Sequence, residues 1–447
     1  MRTIFIIPFL FMPCMLMGQS ETGGVADIFS YGAGLRALGM GGAFTAMKKD
    51  PTLAYWNPGA MPFNQYKEIT LFGTRSIANS YYAAGFYTNP TTHFGTLSLG
   101  AMGVYTGGIE SYDETGSPIT ASDDYLHYQF LLSYGYNFSF GLGLGATAKV
   151  EQMRITDYKG TGASFDAGVF YNPPGLKWLS VGAVVQNIYG TGLQIKDEYE
   201  PRTRMYKLGL STNFLLGEKD RTRLSFAADS RFYTDNYNPN PGGLLYDFSL
   251  GTELSFNEAL MFRVGYSKFT PQTMFQNLPL GLTAGITIRQ FGLGIDYAVS
   301  FEDPAWQGTV EMFMRIGVSF RFGKSMEEKK ALEAQKIQEK IEQGIREATQ
   351  EYENRLDQLS KQYQQEKQQV EQQLEEKYQQ KIAAVDERIQ EVREDIIADL
   401  TAQKEAEKRR ALEELQENYQ EERAQLENQL SEQRLTYQQR IENLQEE

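Results

Sequence analysis

From residue 68 to residue 322, apolar residues alternate with polar or small ones at a period of two. Phe248, Leu250, Thr252, Leu254 and Phe256 interleave with Asp247, Ser249, Gly251, Glu253 and Ser255. Phe262, Val264 and Tyr266 alternate with Arg263, Gly265 and Ser267, and Leu293, Ile295, Tyr297 and Val299 with Gly294, Asp296, Ala298 and Ser300. Successive side chains of a strand point to opposite faces, so each segment offers one face to lipid and a second, charge-bearing face to water. About 14 such segments occur, starting near residues 68, 80, 95, 127, 141, 162, 178, 203, 223, 247, 260, 281, 291 and 311. An even number of strands of roughly ten residues each is what a closed transmembrane barrel requires. A soluble β-sandwich alternates too, but it gives no common cause for the export signal, the aromatic load and the loop asymmetry.

Residues 1–18 have the layout of a secretory signal: Arg2, an apolar run from Ile4 to Met17, then Gly18, Gln19 and Ser20. Cleavage after Gly18 removes Cys14; lipidation of that cysteine would need small residues before it, where Met12 and Pro13 stand. No later stretch reaches the roughly 20 apolar residues of a membrane helix, so the mature chain enters a membrane only as a barrel.

Connections alternate in length. Residues 110–126, 189–202, 234–246 and 270–280 are expected to be long, and 139–140, 257–259 and 290 tight. Long loops face the cell exterior and short turns the periplasm, so both ends of the barrel, and everything after it, are placed on the periplasmic side of the outer membrane. The segment Arg315–Phe322, with Gly317, Phe320 and Phe322, resembles the terminal recognition signal that barrel assembly machinery reads. Here it is internal, and it bounds a barrel domain over 68–323.

Beyond Lys324 the material changes. All 15 prolines, all 27 phenylalanines, all three tryptophans and 41 of the 42 glycines precede that point, and residues 324–447 carry −11 of the net charge of −14. Gln, Glu, Lys, Arg, Ala and Leu dominate this tail, which predicts one continuous helix of about 180 Å over 120 residues. Apolar positions from Ile345 through Tyr352, Leu356, Tyr363, Val370, Leu374 and Tyr378 to Leu400 advance by about 3.67 residues, the rhythm of a straight or slightly right-handed coiled coil. Tyr352, Tyr363, Tyr378, Tyr419 and Tyr437 are candidates to stack in the seam. So narrow a seam needs a partner, either other copies of the chain or a periplasmic protein; a solvated linker is the alternative.

An acidic chain with no Lys/Arg block lacks the footprint of a nucleic-acid binder. Two histidines and one cysteine leave little for a metal or cofactor, and no catalytic residue is assigned. Gly141-Leu142-Gly143-Leu144-Gly145 lacks the Lys-Ser/Thr of a phosphate loop and reads as lumen-facing small residues. His127, beside Tyr125 and Tyr128, is expected in an interfacial aromatic girdle.

The segment before the barrel, 19–67, is too rich in glycine and proline for a regular span. Asp50-Pro51 opens a short helix that Asn57-Pro58-Gly59 ends, and Gly39, Gly41 and Gly42 permit close backbone approach, as in a plug inside a lumen. The run Gly34-Leu35-Arg36-Ala37-Leu38-Gly39-Met40-Gly41-Gly42-Ala43-Phe44, with Asp50 and Tyr55-Trp56-Asn57-Pro58, resembles the hatch signature of the FadL-type long-chain fatty-acid transporter superfamily, in a spelling similar to its PorV/PorQ branch. Gly59 stands where that family usually has alanine. The resemblance implies a 14-stranded all-β transmembrane barrel with an N-terminal hatch, here followed by a long α-helical coiled coil and in contact with outer-membrane lipid. It implies transport of hydrophobic small molecules such as long-chain fatty acids or, in the PorV-like branch, a part in type IX protein secretion. Glycines at 100, 103, 107 and 108 in the third strand are candidates for a bulge or lateral gate in the wall.

Overall fold

The computed structural model describes residues 29, 32–75, 80–112, 117–155, 158–191, 193–195, 198–200, 202–217, 222–234, 244–269, 281–302, 310–386 and 395–446. The export signal lies outside these. The chain divides into two compact units, Met1–Lys329 and Lys330–Glu447.

In the first unit, fourteen of sixteen described strands close into one antiparallel barrel. They are β1 (Lys67–Arg75), β2 (Ser80–Pro90), β3 (Thr96–Tyr112), β4 (Pro118–Asn137), β5 (Leu142–Ile155), β6 (Tyr158–Tyr171) and β7 (Leu179–Gly190). After a small hairpin of β8 (Leu193–Ile195) and β9 (Glu198–Glu200), the wall resumes with β10 (Met205–Leu216), β11 (Thr222–Thr234), β12 (Leu244–Phe256), β13 (Leu260–Phe269), β14 (Leu282–Gln290), β15 (Leu293–Glu302) and β16 (Glu311–Phe322). Closure joins β1 to β16, from Lys67 opposite Phe322 to Thr74 opposite Arg315.

The period of two becomes inside and outside. On β12, Asp247, Ser249, Glu253 and Ser255 are buried, whereas Leu250 and Phe256 are about two-fifths exposed. The same holds around the ring, with Leu71, Leu132, Val150, Phe165, Leu208, Val264, Ile295 and Ile316 facing outward. Such a belt would be an aggregation hazard in water; in a bilayer it is the solvated surface. Among the described residues no helix is long and apolar enough to cross a membrane.

Two expected long connections are partly strand. Segment 110–126 lengthens β3 and β4, which stay paired to Tyr112 opposite Pro118, although β2 leaves β3 at Thr106. The residues past Thr106, among them Ile109, Tyr112 and Ile119, have high strand preference and pair between β3 and β4 beyond the last β2 pair. Segment 189–202 holds the β8–β9 hairpin. The tight turns are where expected to within two residues. Phe291 and Gly292 (φ 50° and 84°) form a two-residue turn of the mirror-image kind that matches strand twist, and Asn257 and Glu258 (φ 51° and 55°) open the three-residue loop between Phe256 and Leu260.

The second unit differs from expectation. It is built not from one helix but from α3 (Met326–Asp386) and α4 (Asp395–Glu446), packed antiparallel. Tyr363 meets Tyr419 with ring centroids 4.5 Å apart, and Tyr378 donates its hydroxyl to Glu407 at 2.8 Å, so partners retreat along α4 as α3 advances. The rhythm read from the sequence is the seam of this hairpin, satisfied within one chain. At its start, Ser325 caps α3: its hydroxyl accepts the Glu328 N–H, and its own N–H goes to the Glu328 carboxylate.

Candidate functional site

Residues 32–66 fill the barrel. They form α1 (Leu35–Gly39), α2 (Leu53–Trp56) and a 3-10 turn, Pro58–Phe63. Asp50 fixes the entrance to α2, accepting the Thr52 N–H at 2.9 Å, and Asn57 ends it, its side-chain oxygen taking the Gly59 N–H at 2.9 Å.

The segment winds round the inside of the wall in order. Gly135 on β4 faces Pro58 and Pro62, Gly145 on β5 faces Pro58, and Gly168 on β6 faces Asn57. Gly182 and Gly209 on β7 and β10 face Thr45, Gly251 and Gly265 on β12 and β13 face Met40 and Gly41, Gly285 on β14 faces Gly39, and Gly317 on β16 faces Leu35. As strand number rises, the hatch residue number falls. Side chains at these wall positions would occupy hatch backbone: a Cβ on Gly251 would lie 2.5 Å from the Met40 carbonyl oxygen. Reciprocally, a Cβ on Gly41, already at φ 66°, would lie 2.7 Å from the backbone of Tyr266.

Polar anchors complete the fit. Arg36 makes a two-pronged contact with Glu253 at 2.7 and 2.8 Å and donates to the carbonyls of Lys48 and Lys49. Arg263 donates to the same Glu253 at 2.7 Å. Burial lowers the affinity of the Arg36 guanidinium for its proton, but Glu253 and Asp50 outweigh burial and hold it above the ordinary arginine range. Asp229 accepts the N–H groups of Phe44 and Thr45, both at 2.8 Å. Lys207 sits over the rings of Tyr55 and Trp56 at 5.3 and 4.9 Å, and the Trp56 indole donates to Ala33 at 2.6 Å. Asn57 bridges hatch and wall through the carbonyls of Thr45 and Val169 at 2.7 and 3.0 Å.

All the hatch residues singled out in the sequence fall within this one mass: Gly34 and Asp50 against Thr52, Gly42 beside the Trp56 ring, and Arg36, Gly39, Gly41, Asn57 and Pro58 against the wall. The third-strand glycines separate. Gly100 and Gly103 pair regularly with both β2 and β4, so the wall is continuous there, whereas Gly107 and Gly108 sit in a bulge past the last β2 pair, Gly108 at φ 73°. Gly317 faces inward, Phe320 outward at 47% exposure, and Phe322 stacks on Phe320 and Tyr87 at the end of β16. His127 is not in a girdle. It points inward, 3.3 Å from Glu151, with Phe29 against its ring, because it has the inward phase of β4. The sequence placed several wall glycines on the lumen face, Gly145, Gly251 and Gly265 among them, but not their contacts with the hatch, and Asp229 and Lys207 carried no signal in it.

Two cavities lie at the end of the barrel where the tight turns are. One, about 30 Å³, is enclosed by Arg36, Glu68, Glu253, Arg263, Arg289 and Asp296 among others. The second, about 730 Å³, opens at the mouth between Lys49, Tyr66, Arg223, Glu258, Phe291, Arg321 and Phe322. Arg289 lines both. Burial would raise the Glu258 carboxyl, but Lys49, Arg321 and Arg223 prevail and hold it at about 2. Burial, with Lys49 and Arg223 nearby, brings Lys48 down to about 8. Among the described residues no group of His, Cys, Asp and Glu is arranged to hold a metal ion.

Fold and lumen together define a transmembrane β-barrel occupied by its own N-terminal hatch, the architecture implied by the hatch motif's resemblance to the FadL-type superfamily. No protein-family model and no curated sequence matches the chain. Among solved structures it is similar to a FadL homologue of Pseudomonas aeruginosa, at 12% identity and a TM-score of 0.37 over 64% of this chain and 98% of that one. It is also similar to the toluene transporter TbuX of Ralstonia pickettii (13%, 0.43, 65% and 99%). The toluene transporter TodX of P. putida aligns comparably (12%, 0.44, 65% and 99%). Likeness at this level carries no ligand or activity to this chain.

Proposed function

We propose that this chain is an outer-membrane barrel passing hydrophobic small molecules, long-chain fatty acids among them, inward past its hatch. The observation that carries the reading is a plug held inside a closed, lipid-facing wall by backbone contacts and ion pairs. On this reading the tight-turn end faces the periplasm, and the helical hairpin leaves the barrel there as a spacer or docking arm for periplasmic partners or further copies. Uptake of labelled palmitate into proteoliposomes containing the full-length protein is the test: uptake well above that of empty liposomes is expected, and uptake no greater than theirs would sink the reading. Gly107 and Gly108 remain the proposed lateral gate. Changing both to valine should lower uptake, and unchanged uptake in a correctly assembled barrel would remove that role.

A second reading is favoured by the inward wall, which is charged: Lys149 pairs with Asp166 at 2.7 Å, and Arg231 pairs with Asp247. Such a lumen suits a rigid scaffold or a PorV-like secretion component, with the 61- and 52-residue helices of the tail holding partners. Native mass spectrometry of protein extracted from its own membrane separates the two: a displaceable lipophile supports transport, a stoichiometric protein supports the scaffold.

A further inference from the structure

At the tight-turn mouth, four cations share two carboxylates. Glu68 takes Arg289 at 3.0 Å and Arg321 at 2.9 Å, while Glu258 takes Lys49 and Arg223 at 3.4 Å and Arg321 at 2.8 Å. The remaining acid at this opening is Glu327, exposed on the first turn of α3. Deeper in, Asp50, Glu253 and Asp296 face Arg36 and Arg263. The positive excess is confined to the mouth itself, where four cations meet Glu68, Glu258 and Glu327.

Arg289, which lines both cavities, has hydrogen-bonding capacity left over. Its Nη2 donates to Glu68 and to Ser319, both at 3.0 Å, yet its buried Nε and Nη1 have no hydrogen-bond partner among the described residues. Arg263, with a side chain only 1% exposed, has its buried Nη1 4.0 Å from Asp296, in ion-pair but not hydrogen-bond range, at the wall of the smaller cavity. Buried arginine donors are ordinarily satisfied, and a planar fork of N–H groups matches a carboxylate or phosphate better than any neutral acceptor. Three non-glycine residues in the left-handed region, Asn257, Glu258 and Phe291, stand at the same rim, where the tight turns hold them.

We propose that this mouth is a binding site for a small oxyanion, carboxylate or phosphate, gripped by Arg289 with Arg321, Arg223 and Lys49. The opening exceeds what a bare anion fills, and Tyr66, Phe291 and Phe322 border it, which fits an anionic group carried on an apolar body. The site rests on the mouth alone and does not depend on transport through the lumen.

The test is calorimetric titration of the full-length protein in amphipol with inorganic phosphate, decanoate and, as the uncharged counterpart, decanol. Arg289→Met should weaken decanoate binding at least tenfold and leave decanol unaffected. Arg223→Met, a change at a more exposed position, should weaken it about threefold and serves if the first variant does not assemble. Parallel loss of phosphate binding would assign the site to free anions as well; loss confined to decanoate would assign it to the head group of an amphiphile. Failure of the unaltered protein to bind either anion, or affinities unchanged in every variant that assembles, overturns the proposal. Palmitate uptake with no anion binding removes this site alone, and anion binding without uptake leaves it standing.

Discussion

The barrel and the helical tail bury opposite chemistry, because they face opposite solvents. In the barrel, apolar side chains are outermost and the centre holds Glu253, Arg263, Asp229 and Lys207 around a glycine-rich plug. In the tail, charge is outermost and, of the described side chains beyond Lys330, only Tyr378 and Leu426 are buried. Stability in the first thus rests on satisfying polar groups where water is scarce, and in the second on a thin apolar seam between helices that are otherwise solvated. The contrast teaches that one chain can obey both rules when the switch is made at a single boundary.

The comparison breaks most sharply at Glu253. Changing it to glutamine leaves Arg36 and Arg263 only the more distant Asp50 and Asp296, at 3.9 and 4.0 Å, in the interior, a loss at the lower end of about 3–5 kcal/mol. The expected result is disappearance of the heat-resistant folded band on gels of unheated samples, with the tail's helical circular dichroism intact. Gly41→Val pushes a branched side chain into the Tyr266 backbone at a left-handed position and should cost about 3 kcal/mol. Here the barrel should survive, and accelerated hydrogen exchange confined to residues 32–66 would mark the displaced hatch. Tyr378→Ala sharpens the other side. Removing the most buried tail side chain should cost about 2 kcal/mol, less than in a closed core, and lower the helical melting transition while the barrel's transition stays put.

The smallest effect is one of pH. The folded Glu258 carboxyl is held at about 2 against an ordinary 4.5, so its contribution is fully present above about 4.5 and fades as pH falls toward 2. The barrel's melting temperature should drop by a few degrees over that window, and Glu258→Gln should abolish that share of the slope.

Much of the wall was legible because a period of two is local: thirteen of the fourteen wall strands start within four residues of expectation, β4 beginning nine residues early, β16 ends at Phe322, and Arg263 and Asp296 carry the expected inward phase. The plug's neighbours were not legible, since Gly182 meets Thr45, and Gly251 meets Met40, only after the ring closes. The hairpin in the tail escaped for another reason. No glycine or proline marks the join between Asp386 and Asp395, and a seam advancing by 3.67 residues is equally well covered by another molecule or by the same chain folded back. The residues of the join itself lie outside those described.

The winding of the hatch ties the plug to the closing seam. Contacts run from Pro62 at β4 to Leu35 at β16, and a Cβ on Gly317 would meet both Leu35 and Phe72 of β1, so the N-terminal end of the hatch rests on the pair of strands that joins the first to the last. One glycine thus serves both the fit of the plug and the closure of the ring, and the cylinder and its filling stand or fall together there.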